Sequence, residues 1–236
     1  NSTIAGNQTL TDIVATADGR FTLVWTTGTT ATTRSFDAVS GVAASAETNL
    51  TATANVSGAQ LAAVAPNQYK LVVTYNSGAN TIIEQATYDT VGATVVARAA
   101  IAVTLPLDAA ISEMVDGSSA GNHYVLLSNG SVVSTANGSI KGGTGAEDIL
   151  KLQNGLYVLA AESQMNAMLK GLTGTVANIG AYTISAGIVA DQPTADAPEL
   201  PDVFDKALVN LGDGRVMVLW VADTGTTLGP DTDGHD

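Results

Sequence analysis

The sequence predicts an all-β fold, propeller-like with about five irregular blades; a β-sandwich or a stack of antiparallel sheets stays open as the alternative. Three observations carry this reading. A turn-and-strand phrase stands near both ends, ADGRFTLVW from Ala17 to Trp25 and GDGRVMVLW from Gly212 to Trp220. Looser relatives of the phrase recur between them, with Trp25, Tyr75 and Leu127 spaced 50 and 52 residues apart. Helix-forming residues gather only in ESQMNAML, Glu162 to Leu169, enough for a turn or two.

Each element follows from local chemistry. Ile13-Val14-Ala15 is a short apolar strand, and Asp18-Gly19 supplies a turn with access to positive φ. The strand after it places Phe21, Leu23 and Trp25 on one parity, and its other face is only partly polar, so both faces should be covered. RSFDAVSG, Arg34 to Gly41, then closes a hairpin around Asp37. The second unit repeats the order: Leu61 to Val64, a Pro66-Asn67 turn, the strand ending at Tyr75, and ATYDTVG around Asp89, 52 residues after Asp37. The third unit comprises Ile111 to Val115 and GNHYVLL, with His123 expected at the surface or in a loop.

The fourth unit comprises Ile149 to Leu152 and QNGLYVLA, whose Ala160 falls only 33 residues after Leu127. DQPTADAPELP, Asp191 to Pro201, reads as an extended surface linker. Ala207 to Leu211 and the Asp213-Gly214 turn lead into the last strong strand, ending at Trp220, 60 residues after Ala160. Blades of propellers run about 40–50 residues. The reading is therefore one repeat-built domain over residues 1–220 and an acidic flexible tail over 221–236. The last unit has two good strands, so Ser2 to Ala5 would supply its outer strand and close the ring, or would complete a neighbouring copy's sheet.

Composition bounds the function. Hydrophobic residues make up 45% of the 236 residues and charged residues only 13%. Nine Lys+Arg stand against 22 Asp+Glu, a formal charge of −13, so no basic patch is available for nucleic acid or anionic membranes. No apolar run reaches transmembrane length, and there is no cysteine to report on redox compartment.

Candidate chemistry is sparse. GGTGAEDI, Gly142 to Ile149, approaches the glycine-rich calcium nonapeptide of parallel β-rolls, with Glu147 at the position of its Asp, but it occurs once, and a turn before a strand accounts for it better. Asp231, Asp233 and Asp236 offer oxygen ligands of the kind Ca²⁺ takes, but a disordered, soluble terminus explains them better. Two histidines, His123 and His235, do not make a multi-histidine metal site, and no nucleophile elbow is visible. Asp37 and Asp89 would matter to glycoside hydrolysis only if they converged, whereas a residue repeated in each unit usually closes a turn. Arg20 and Arg215 read as surface partners of nearby carboxylates. The expectation is a protein without catalytic activity. Asn-x-Ser/Thr sequons at Asn1, Asn7, Asn49, Asn55, Asn129 and Asn137 are glycan acceptors only in a secreted eukaryotic chain.

DIVATADGRFTLVW…RSFDAVSG and ALVNLGDGRVMVLW resemble the apolar–x–DG–x–F–VVxW…FDxxG repeats of large secreted bacterial proteins of the calcium-binding haemolysin and adhesin class. The resemblance is good over residues 12–41 and 207–220, moderate over 61–92, and poor between. It implies a propeller-like scaffold or binding module in an extracellular or cell-surface protein. On it, Asp18-Gly19 and Asp213-Gly214 would be turns, and Trp25, Tyr75 and Trp220 packed strand residues. A protein or glycan partner, or a homo-oligomer formed through the N-terminal strand, is then expected. A glycoside hydrolase on the same scaffold is the catalytic alternative.

Overall fold

The computed structural model describes residues 6–117, 121–141, 146–151, 157–161, 168–173, 175–181, 203–210 and 216–222; side chains are described up to residue 140, at 148–151 and at Val209. The chain forms two compact units, Asn1–Ile140 and Lys141–Asp236. Every regular element among the described residues is a β-strand.

The first unit contains three sheets of consecutive strands. β1 (Thr9–Thr16), β2 (Arg20–Thr27), β3 (Thr30–Asp37) and β4 (Thr48–Thr51) pair in chain order, all antiparallel. β5 (Val56–Ala65), β6 (Gln68–Ser77), β7 (Asn80–Asp89) and β8 (Thr94–Ala100) do the same. The third sheet comprises β9 (Ile111–Asp116), β10 (His123–Leu127), β11 (Val132–Ser134) and β12 (Ile140–Lys141), the last of which spans the boundary between units. In none of these sheets does the first strand pair with the last, so each is open.

The second unit repeats the plan. β13 (Ala146–Lys151), β14 (Tyr157–Ala161), β15 (Met168–Thr173) and β16 (Thr175–Ala181) form an antiparallel sheet, and β17 (Val203–Asn210) pairs with β18 (Val216–Ala222). β18 runs to Ala222, so the strand passes the expected start of the tail at Val221. Met168 and Leu169, read as the end of a short helical run, open β15 instead. Their cross-strand partners Ala181 and Gly180 supply backbone hydrogen bonds that a weak helix propensity does not outweigh. The remainder of that run, Glu162 to Asn166 and Ala167, lies outside the described residues, as do Ser2 to Ala5 and Asp191 to Pro201.

A common register mark ties the five sheets together. In each, the first strand carries one extra residue opposite the far part of the second: Thr11, Ser57, Ser112, Glu147 and Asp205. Such bulges bend a strand and sharpen its twist, and they persist within a repeat family. The first two sheets also share a two-residue hairpin loop, Gly28-Thr29 and Gly78-Ala79. Gly28 and Gly78 take φ of 55° and 61°, the positive-φ first position that suits a right-twisted hairpin.

The middle sheet of the first unit is buried on both faces, because β6 alternates apolar residues toward two cores. Tyr69, Leu71 and Val73 join Val24, Ala31 and Leu50 of the first sheet. Val72 and Ile83 join Ile111, Val125, Leu127 and Val133 of the third. Close approach on that second side requires Gly58, since a Cβ there would lie 2.6 Å from Ile111 Cγ2. Each fully buried aliphatic side chain contributes about 1.5–3 kcal/mol.

Candidate functional site

Polar residues in the first unit divide into those that stitch sheets together and those that face a cavity. The Asp18-Gly19 turn, which the repeats single out, is one of the stitches.

Asp18-Gly19 is the turn between β1 and β2, and it docks on the corresponding turn of the next sheet. The Asp18 N–H donates to Pro66 O at 2.9 Å, and the Thr90 N–H donates to Asn67 O at 2.9 Å. Thr90 Oγ1 donates to Asp18 Oδ2 at 2.6 Å, and Arg20 Nη1 donates to Thr90 Oγ1 at 2.8 Å while standing 3.6 Å from Asp18 Oδ2. Burial pushes the Asp18 carboxyl up, but hydrogen bonds from Thr16 and Thr90 and the Arg20 charge outweigh it, leaving the group below the usual carboxylate range. Asp12 makes a second stitch: its Oδ2 accepts from Leu61 N–H at 2.7 Å and its Oδ1 from Ile13 N–H at 2.7 Å. Desolvation holds Asp12 above the ordinary value, partly offset by those two backbone donors. Asp148 follows the β13 bulge as Asp12 follows that of β1, and its Oδ1 likewise accepts from the next residue, Ile149 N–H, at 2.6 Å.

Asp37 and Asp89 do not converge on a reaction centre; each binds its own turn. Asp37 Oδ1 accepts from Val39 N–H, Ser40 N–H and the Ser40 hydroxyl at 3.1, 2.7 and 2.7 Å. Asp89 Oδ1 accepts from Val91 N–H and Ala93 N–H at 3.1 and 2.7 Å. Hydrogen bonds from Ser40, led by its backbone N–H, hold Asp37 below the usual range. Trp25 and Tyr75 are packed strand residues, 9% and 5% exposed.

Trp220 lies in β18 opposite Lys206, and Glu147 is the bulge residue of β13. Asp213, Gly214, Asp231, Asp233 and Asp236 lie outside the described residues. Among the described residues, no group of three or more His, Asp or Glu side chains gathers as a metal site. His123, expected at the surface, is 2% exposed. It occupies the central strand β10 on the same parity as Val125 and Leu127, which face the core, and its Nε2 stands 3.5 Å from Asp116 Oδ1.

The cavity lies over the second sheet at the end of the face whose other end packs against the third sheet. Along β6 that face presents Lys70, Val72 and Thr74, opposite Thr87, Gln85 and Ile83 of β7. Val72, Thr74 and Ile83 are sealed in the core; Lys70, Gln85 and Thr87 line a half-open cavity of about 370 Å³, with Val64 and Val96 at its walls. Lys70 is 8% exposed, and its ammonium donates to the carbonyl of Gly121. Burial pushes the Lys70 amine below its ordinary value. Gln85 Nε2 donates to Thr135 O at 3.0 Å, while the buried Gln85 Oε1 has no hydrogen-bond partner.

Sequence reasoning passed over Lys70, Gln85 and Thr90. The available signal was a lysine flanked on both sides by apolar strand residues, in a chain with only nine basic side chains.

Neither a protein-family model nor a curated protein matches the chain. Among solved structures it is similar to a protein of unknown function from Bacteroides caccae, whose crystal structure extends to 1.35 Å. The two are 13% identical, with a TM-score of 0.50, over 85% of this chain and 68% of that one. That likeness is one of fold.

Proposed function

We propose that this chain is a non-catalytic, repeat-built β module of an extracellular or cell-surface protein, its five sheets serving as propeller-like blades that display a binding or scaffolding surface. The observation that carries the reading is the use made of the repeated polar residues. Asp18, Asp37 and Asp89 hold turns and seams, so what the units repeat is architecture. The bulge shared by all five first strands supports the same view. No helix among the described residues is long and apolar enough to cross a membrane.

The rival within the same class is a fibre or appendage subunit that lends its N-terminal strand to a neighbour. Light scattering after size-exclusion chromatography separates the two, on the full chain and on one lacking residues 1–8, with calcium and with chelator. The module reading expects a particle of 23.8 kDa that ignores calcium. A calcium-independent oligomer that is lost on truncation would sink it in favour of the assembling subunit.

A second reading, a module that binds a small polar ligand such as a glycan, is favoured by the cavity over Lys70. Its lining carries an ammonium and an amide rather than a pair of carboxylates, which suits binding better than glycoside hydrolysis.

A further inference from the structure

We propose that the first sheet carries a docking face for a second copy of this chain. The face lies on the side turned away from the second sheet, and two first sheets pack there face to face across a two-fold axis. The inference goes beyond the module reading, which stands whether or not copies pair.

Strand parity defines the face. Val14, Val24, Ala31 and Leu50 turn toward the second sheet. The alternate residues turn the other way: Leu10 and Ile13 on β1, Phe21 and Leu23 on β2, Arg34 and Phe36 on β3. Phe21 and Phe36 stack with ring centroids 5.4 Å apart. The Arg34 guanidinium lies over the Phe36 ring at 5.7 Å, and its Nε donates to Ser45 O at 3.3 Å. The one charge on this face is therefore laid flat against its own sheet.

The repeat shows what such a face does elsewhere. Ile13 stands two residues after the β1 bulge, and Ala59 two residues after the β5 bulge. Ala59 is 2% exposed because the second sheet presses this face onto the first, whereas Ile13 is 58% exposed. Ala15 and Leu61, two residues farther on, differ in the same way, one exposed and the other buried. Leu10 precedes the bulge and is 61% exposed; its counterpart in the third sheet, Ile111, is buried against the second. The first sheet thus presents to solvent the face that its two successors bury against a neighbouring sheet.

Three properties point to a second copy. The matching surface for a flat apolar sheet face is another such face, with the side chains interdigitated. In the first unit the others are taken: the first sheet meets the second, the second meets the third, and Leu126 and Val132 on the far side of the third are buried. Isologous pairing matches the remaining face with itself. Charge agrees, because none of the chain's 22 acidic residues lies on this face of β1, β2 or β3, so copies with a formal charge of −13 meet where no carboxylates oppose each other. Area sets the strength. Four strands about 4.8 Å apart, each about 26 Å long, give a footprint of roughly 500 Å² per copy. Stable complexes bury about 800 Å² per partner, so this pairing is weak, with a Kd on the order of 0.1 mM. The chain is then a 23.8 kDa particle at micromolar concentration and pairs only when crowded, as on a surface that displays many copies.

The test is sedimentation equilibrium of the full chain from about 10 µM to about 1 mM. The mean mass should rise from 23.8 kDa toward twice that value and no further. Added salt should tighten the pairing, since it screens the repulsion between like-charged copies. Ile13→Lys and Leu10→Lys should each weaken it at least about tenfold, although either lowers the net negative charge. Leu107→Lys, a matched change at an exposed position in the loop between the second and third sheets, should leave it unchanged.

A particle of constant mass up to the highest concentration would overturn the proposal and leave the module reading intact. Pairing that survives both β1 variants, or that salt weakens, would overturn the face. Growth beyond two copies would replace the closed pair with head-to-tail stacking. Pairing lost without residues 1–8 but kept in both β1 variants would overturn this proposal and the module reading together. Methyl resonances of the wild-type chain give a check that needs no variant to fold. Those of Ile13 and Leu23 should shift with concentration while those of Val72 stay in place, and stationary Ile13 and Leu23 methyls would likewise overturn the assignment.

Discussion

Tyr69 shows what one side chain contributes when strand parity drives it into a core. It is fully buried, its ring lies 5.8 Å from that of Tyr88, and its hydroxyl shares a 2.8 Å hydrogen bond with Thr33 Oγ1. Desolvation pushes the phenol up to about 12, two units above its ordinary 10.0. A raised folded-state value means that the folded chain keeps a proton the unfolded chain loses. Its contribution to stability is therefore complete below pH 10 and is lost as the pH rises through about 12. Unfolding free energies from denaturant titrations across that interval should fall by about 1.4 kcal/mol per pH unit from this group. Tyr69→Phe should show a shallower decline, and an unchanged slope would mean that the phenol ionises while folded. At this scale periodicity was informative for apolar positions and silent for polar ones. It placed Trp25 and Tyr75 in strands, but it did not distinguish a lysine or histidine turned inward from one turned out. Lys70 and His123 were missed because alternation assigns a face, and only the neighbouring sheets decide whether that face is wet.

At the scale of the element, hairpin loops set the register on which every cross-strand pair depends. Ser77 pairs with Asn80 across Gly78-Ala79, and the ten pairs of β6 with β7 continue without a shift. A Cβ at Gly78 would have nothing within 4 Å, so the cost of substitution there is conformational alone. Gly78→Val should destabilise by about 1–2 kcal/mol, the cost of a side chain in the left-handed region, and Gly78→Asn by distinctly less. Urea unfolding of the two variants checks the order, and equal losses would show that the loop tolerates another turn type. Asp18-Gly19 and the Asp37 and Asp89 hairpins were legible because turn chemistry is local: an Asp accepts from the backbone two or three residues on. The bulges were not legible. An extra residue is defined only against the partner strand, and Thr11, Ser57, Ser112, Glu147 and Asp205 share no side-chain type. The β15 start at Met168 was hidden for a related reason, since pairing with β14 and β16 overrode the local helical preference.

Across the whole molecule, the same four-stranded plan appears in both units, and within the first unit a polar cluster at the turns supplements the apolar core between the first and second sheets. The Asp18–Thr90–Arg20 cluster joins the first sheet to the second through groups that depend on an ionised carboxylate. Because the folded-state value of Asp18 lies below 3.8, its contribution is present above that value and is lost as the pH falls through the folded one. Asp18→Asn should remove this acid-dependent component while leaving the sheets intact. Thermal melts below pH 4 should then decline less steeply for the variant than for the wild type, and parallel declines would show that the seam does not respond to Asp18. The repeat plan itself was readable from the spacing of Trp25, Tyr75 and Leu127, where units are of similar length. Beyond residue 140 the spacing varies, and repetition there is visible only in the strand pairing.

Strands that pair only with their neighbours in chain order have a kinetic consequence. Within each sheet, a hairpin waits for no distant segment, so loop closure is short and its entropy cost low. A chain emerging from the ribosome completes the β1–β4 sheet once residue 51 is free, before any of the last sheet has been synthesised. Within the first unit, docking of one finished sheet on the next then becomes the slow, cooperative step, as in other proteins built from repeats. Arrested nascent chains of increasing length should therefore gain protease resistance in steps of one sheet rather than all at once.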